Sequence, residues 1–243
     1  MSQQLPDGVV VVRIDQGPVR NAINSETAER LHDAFLAFED DPDAKVAVLT
    51  GDEAAFSAGA NLRDLPRLRD SGPLGPTRLQ LSKPVIAAIE GWCVAGGVEL
   101  AAWCDLRIAG ASARIGCLER RWGVPLIDGG TYRLPQIVGL GRALDLILTG
   151  REIGAAEAEQ MGFLTRVVPD GTALAAAIEL AGELASFPWR AVVNDRRSVY
   201  AGLGRELEDA LLVEDELGKD TIFAPGFTEG VDRFNDHQAR RDR

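Results

Sequence analysis

The sequence is poor in the residues that carry several common chemistries. It holds three cysteines and two histidines in 243 residues. Cys93, Cys104 and Cys117 show no CxxC spacing and sit in or beside apolar stretches. An odd count of that kind builds neither a disulfide framework nor a zinc site, so buried thiols in a reducing compartment are expected and no metal. His32 and His237 fall on predicted helices away from any motif and receive no catalytic role. A dense run of Lys or Arg is also missing, and the formal net charge is −11. Proteins that coat nucleic acid neutralise phosphates with clustered cations, so no nucleic-acid partner is expected. Acidity leaves an anionic small ligand open, because two or three local cations and a helix N-terminus hold a phosphate whatever the global charge. Met1 to Asp7 has neither a basic stretch nor an apolar one, so no secretion signal is read and the expected location is cytoplasmic. Val85 to Trp103 is apolar but carries Glu90 and Glu99 and is broken by Gly91, Gly96 and Gly97. Charges at those depths are costly in lipid, so a buried strand, turn and helix is expected there and no membrane span.

What is present is an ordinary globular composition, 46% hydrophobic and 26% charged. The length suits one domain with an appendage. Val9 to Ile14, Val46 to Thr50, Val85 to Ile89 and Asp105 to Ala109 read as buried strands. Ser25 is placed to cap a helix from Glu26, with Ala28, Leu31, Ala34, Phe35 and Phe38 at helical spacing and an end at Asp41-Pro42. Arg63 to Thr77 is polar and rich in Pro and Gly, which predicts a surface excursion. Strands alternating with helices through connections too long for hairpins imply parallel pairing, hence an α/β core. Helices are predicted at Gly141–Leu148, Ala155–Met161, Ala173–Phe187 and Leu203–Leu217, with a strand at Thr165–Val168, so the last part of the chain reads as a helical appendage.

Two glycine loops follow strands: Ser57-Ala58-Gly59-Ala60, and Ala95-Gly96-Gly97 opening a helix. A thioester carbonyl that becomes an enolate needs two converging donors, and a donor aimed at developing oxyanion charge contributes about 3 kcal/mol. Each loop alone is more often a tight turn or a close-packing device. Glu99 lies one turn into the helix that Gly96 opens, and Glu119 follows twenty positions later. Addition of water across a conjugated double bond needs one group to deprotonate water and another to protonate the α-carbon, and paired carboxylates do both. The plain alternatives are a first-turn acid facing the helix dipole for Glu99 and a surface acid paired with Arg120 or Arg121 for Glu119.

Together these residues resemble a known family. Lys83-Pro84-Val85-Ile86-Ala87-Ala88-Ile89-Glu90-Gly91, Ala95-Gly96-Gly97-Val98-Glu99-Leu100-Ala101 and Cys104-Asp105 are similar to the signature of the enoyl-CoA hydratase/isomerase (crotonase) family. Phe56 to Ala60 resembles its first oxyanion loop, and Arg20-Asn21-Ala22-Ile23-Asn24 its coenzyme A-binding loop. Gly129-Gly130-Thr131 and Arg133-Leu134-Pro135 continue the match, which covers most of the chain in order. The resemblance implies a spiral of β-β-α repeats over residues 1–187 and a C-terminal helical region over 188–243 that makes trimers, often paired into hexamers. It implies an oxyanion hole from the amides of Ala60 and Gly96. Glu99 then activates water and Glu119 exchanges the α-carbon proton, in a hydratase that turns a trans-2-enoyl-CoA into a 3-hydroxyacyl-CoA. Arg20, Ala22, Ala58 and Lys83 are the implied contacts for CoA, which belongs to the substrate; no further cofactor is needed. Isomerisation of a 3-enoyl-CoA, another reaction of this type, and non-catalytic acyl-CoA binding are the alternatives. Three departures stand out: Asn61 where an acid is common, Ala95 in place of the first of three glycines, and the run Trp122 to Asp128. Asp128 adds a third candidate acid, whose plainer role is N-cap of the next helix.

Overall fold

The computed structural model describes residues 2–241, in which ten strands and nine α-helices are formed. The valine run becomes β2 (Val9–Arg13), whose first four residues are all buried. It pairs antiparallel with β1 (Ser2–Gln4) and parallel with β3 (Val46–Thr50), and β5 (Val85–Ile89), β7 (Leu106–Gly110) and β10 (Arg166–Val168) complete a six-stranded sheet in the order β1-β2-β3-β5-β7-β10. Strands covered on both faces need apolar side chains, which is why the central strands β2, β3 and β5 are almost continuous apolar runs with no alternation. A second sheet, in the order β4-β6-β8-β9, joins β4 (Ala55–Ser57), β6 (Trp92–Val94), β8 (Arg114–Gly116) and β9 (Ile153–Gly154). Each of the pairs β3–β4, β5–β6 and β7–β8 lays its first strand in the larger sheet and its second in the smaller. This is a mixed α/β fold of repeated turns with a helical C-terminal part, as the resemblance implied.

The chain divides into two compact units, up to Gly182 and from Glu183 onward. In the first, α1 (Ser25–Asp40) buries Ala28, Leu31, Phe35 and Phe38. Its N-cap is Asn24 and not Ser25: the Thr27 amide donates to Asn24 Oδ1 at 3.0 Å, while Ser25 Oγ accepts from the amide of Arg67. Every residue of α2 (Gly96–Trp103) is buried, and Trp103 meets Phe35 edge-on at 4.8 Å. After them come α3 (Gly130–Val138), α4 (Leu140–Thr149) and α5 (Ala155–Gln160), and α6 (Ala173–Ser186) runs across the boundary between the units. One expectation is overturned here. Only the first part of the Arg63–Thr77 excursion lies at the surface; Gly72 to Thr77 is buried, apart from a half-buried edge at Ser71. The cause is a buried acceptor below it, Asp128, described with the site.

The second unit contains α7 (Trp189–Gly202), α8 (Leu207–Ile222) and α9 (Pro225–Arg241). The predicted Leu203–Leu217 helix thus begins at Leu207, and α7 had no apolar stripe to announce it because the residue it buries is Asn194. Asn194 Nδ2 donates to Leu217 O, Asp220 Oδ2 and Thr221 Oγ1, and Arg190 grips Asp220 through two 2.6 Å bonds, which hold the Asp220 carboxyl below its ordinary range. Among the described residues no helix is long and apolar enough to cross a membrane.

Candidate active site

The loop after β4 returns against the segment that precedes α1. Ile23 and Ala60 form a parallel bridge, in which Ile23 N donates to Gly59 O and Asn61 N to Ile23 O, both at 2.8 Å. This ladder uses the groups on either side of Ala60 and leaves the Ala60 amide without an acceptor among the described residues. Gly96 is the first residue of α2, where an amide has no intrahelical partner, and its N–H likewise finds none among the described residues. The two backbones touch: a Cβ on Gly59, whose φ is +82°, would lie 2.5 Å from Gly96 N, and one on Gly96 would lie 3.6 Å from Ala60 N. Two unused donors therefore belong to adjoining strands of backbone, one of them at the positive end of a buried helix. Ala95, just before, holds φ +53°. That conformation disfavours any residue with a Cβ, so the departure from glycine there stores strain of about 1–3 kcal/mol beside the site.

Asn21, which the sequence did not single out by itself, fixes this loop. It is fully buried at φ +55°; Oδ1 accepts from Gln16 N, and Nδ2 donates to Ala55 O at 2.7 Å and to Asp52 Oδ2 at 3.1 Å. Ser57 Oγ in turn donates to Asn21 O. Asn21→Ala leaves a buried amide and carbonyl unpaired, and is expected to lower stability by about 3 kcal/mol in urea denaturation. A loss under about 0.5 kcal/mol would show that the loop holds without it.

Three buried acids, Glu99, Glu119 and Asp128, lie near enough that the charges of the other two act on Glu99. Glu99 is 3% exposed, and its Oε1 accepts from Asp128 N at 2.9 Å and Gly130 N at 2.8 Å. Burial pushes its carboxyl up to about 7, helped by the negative charges of Asp128 and Glu119 and opposed by the two amides. Glu119, from a 3-10 turn over Leu118–Trp122, is 5% exposed, and both its oxygens are buried with no hydrogen-bond partner among the described residues. Burial raises its pKa too. The plain reading of Glu119 as a surface acid on Arg120 or Arg121 fails. Arg120 Nε donates to Ile147 O and Arg121 Nη2 to Gly150 O, at the end of α4. Asp128 is not the N-cap of α3, a place taken by Gly129 without a side-chain bond. Its Oδ1 accepts from Leu74 N at 3.0 Å and from Thr77 Oγ1, so it faces the buried segment.

The rim is made of the loop residues. Arg20 O accepts from Ala58 N at 3.0 Å, which sets the exposed Arg20 and the half-buried Ala22 and Ala58 side by side. Arg20 stands 5.9 Å from the Trp92 ring. Lys83 is elsewhere: its Nζ donates to Phe38 O and Asp41 O, closing the C-terminal end of α1. An ammonium held by two carbonyls at a helix end acts as a cap.

The profile of the enoyl-CoA hydratase/isomerase family matches residues 4–241. Enoyl-CoA hydratase EchA19 of Mycobacterium tuberculosis is 33% identical over 95% of this chain and 91% of its own length. The crystal structure of enoyl-CoA hydratase EchA1 from Mycobacterium marinum superposes with a TM-score of 0.92, at 29% identity over 98% of this chain and 95% of that one. That of an enoyl-CoA hydratase from Bacillus anthracis gives 0.89, at 31% identity over 98% and 96%.

Proposed function

The chain belongs to the enoyl-CoA hydratase/isomerase family, and from that premise we propose that it adds water to a trans-2-enoyl-CoA to give a 3-hydroxyacyl-CoA. The observation that carries the reading is a pair of buried, charge-coupled carboxylates, Glu99 and Glu119, with Glu99 in the first turn of the helix whose opening amide, Gly96 N, and the neighbouring Ala60 N have no acceptor among the described residues. The thioester oxygen accepts from Ala60 N and Gly96 N, which stabilise it as negative charge develops. Glu99 takes a proton from water while the water oxygen bonds to C3 and the C2–C3 π pair moves to the enolate. Glu119 gives a proton to C2, the enolate collapses to the thioester, and the proton on Glu99 passes back to Glu119. One H and one OH are added and nothing is oxidised. Two features favour hydration over simple CoA binding. A carboxylate with no partner is costly to bury, and burial raises both acids, Glu99 to about 7, within the working range of acid–base catalysis.

Arg20, Ala22 and Ala58 border the CoA portion in this reading. The test is the loss of conjugated-thioester absorbance with crotonyl-CoA; no turnover on enoyl-CoAs of any length, with CoA still bound, would make the protein a binder.

We further propose a spiral core over 1–187 and an assembly region over 188–243 that forms a homotrimer. The second unit carries large apolar side chains at the surface, with Leu207 71%, Leu212 68% and Phe223 83% exposed. Patches of this kind mark interaction surfaces. Sedimentation analysis is expected to give three times the 26.1 kDa chain mass or a multiple of it, and Leu212→Glu to shift the species toward monomer. A wild-type monomer at micromolar concentration would refute this.

A further inference from the structure

The segment Gly72–Thr77 carries an arrangement that the hydration chemistry does not call for. Leu74 is 1% exposed, and a Cβ built on Gly96 would lie 2.5 Å from its Cδ1, so the leucine methyl rests against the first residue of α2, beside the amide proposed to bind the thioester oxygen. The segment is clamped at both ends. Gly75, at φ +105°, packs so closely on the Ala28 carbonyl of α1 that no side chain fits between them. On the other side, the buried carboxyl of Asp128 receives the Leu74 amide and the Thr77 hydroxyl, and Arg133 braces the turn by donating to both Thr77 O and Asp128 O. Asp128 also uses its own amide on Glu99 Oε1. One residue thus ties the wall of the site to a catalytic carboxylate. Beyond the segment lies a cleft of about 380 Å³ with a mixed lining, Leu68, Pro73 and Ile127 beside the polar Arg69, Asp70 and Arg78, whose charges make it poor surroundings for an alkyl tail.

From this geometry we propose that Asp128 is a positioning residue that locks Leu74 over the acyl end of the site, and that the chain consequently takes four-carbon enoyl thioesters best and longer ones progressively worse. The proposal rests on the hydratase reading. A crotonyl group extends one methyl past C3, whereas each further methylene must displace Leu74 or enter the polar cleft. A pocket discriminates one methylene by roughly 10-fold or more, so the ratio of kcat/KM for C4 over C10 is expected to exceed about 100. Burial raises the Asp128 carboxyl, and the Thr77 hydroxyl and Leu74 amide that donate to it pull it back down.

The experiment measures kcat and KM separately for trans-2-enoyl-CoAs of four, six and ten carbons. The variants are Leu74→Ala, Asp128→Ala and Asp128→Asn. Leu74→Ala makes room directly, and Asp128→Ala frees the segment without touching a side chain that meets the substrate. Both are expected to lower the C4/C10 ratio at least about 10-fold, mainly through KM for the longer chain. Asp128→Asn keeps an oxygen acceptor for Leu74 N and Thr77 Oγ1 and is expected to restore the wild-type ratio, which a general loss of packing would not do. Equal turnover of C4 and C10 by the wild type, or an unchanged ratio in both alanine variants, overturns the proposal and leaves hydration standing. Absence of turnover at every length removes the hydratase reading, and this proposal with it.

Discussion

Glu119→Gln is expected to lower kcat for hydration by about 1,000-fold with KM changed no more than a few-fold, the pattern of a group that acts only in the transition state. The substitution keeps shape and volume and removes the titratable proton. In the folded chain both oxygens of Glu119 are buried without a partner among the described residues, and its neighbours Arg120 and Arg121 turn to carbonyls instead of pairing with it. No structural bond is therefore lost. An uncompensated buried carboxylate is unfavourable to stability, so the glutamine protein should unfold at a urea concentration no lower than the wild type does. Activity and stability thus separate in one variant: catalysis collapses while the fold is as firm or firmer. Turnover within about 3-fold of wild type would strike Glu119 from the mechanism.

The same contrast shows what a reader of the sequence is able to see. The centre of the six-stranded sheet announced itself because strands covered on both faces must be apolar, and β2, β3 and β5 are mostly Val, Ile, Ala and Leu, whereas its edge strand β1 is exposed and polar and gave no such signal. The second sheet did not, since its strands are two or three residues long, too short for any alternation to register. Its presence could be expected only through family resemblance. Glu99 and the two glycine loops were legible because their chemistry is local: an acid one turn into a helix, and donors at a strand end and a helix start. What escaped was long-range. Asp128 precedes a helix, a position where a cap is the natural reading, yet it bonds to Leu74 and Thr77, more than fifty positions away. For the same reason Gly72 to Thr77 looks like a surface loop in composition and is buried in fact. Lys83 likewise fits a phosphate in a motif, while its partners at the end of α1 are more than forty positions back. Pairings of that separation leave no periodicity to read.

Glu99→Gln carries the second large effect, and it reaches stability as well as rate. Hydration should again fall by about 100- to 10,000-fold, because the group that accepts the proton from water is gone. If isomerisation of a 3-enoyl-CoA survives in this variant while hydration is lost, Glu119 alone shuttles that proton, and the two reactions are separated on one scaffold. The pH dependence follows from the carboxyl being raised from 4.5 to about 7 by burial. Below pH 4.5 the group is protonated both folded and unfolded, and its favourable contribution is complete. Between pH 4.5 and 7 the unfolded chain releases the proton while the folded chain keeps it, so wild-type stability declines with rising pH across this window, by up to about 3 kcal/mol from this group. The glutamine still offers an oxygen to the amides of Asp128 and Gly130 but does not titrate. Urea midpoints should therefore place the variant above the wild type at pH 8, with the gap closing toward pH 4.5. In the wild type, kcat/KM for hydration should rise through pH 7 as Glu99 becomes a base, over the range where stability falls. The carboxylate that the reaction requires in its charged form is thus the one whose charge the fold disfavours. A stability gap that stays constant from pH 4.5 to 8 would mean that the Glu99 carboxyl is not raised, and would withdraw it as a base tuned by burial.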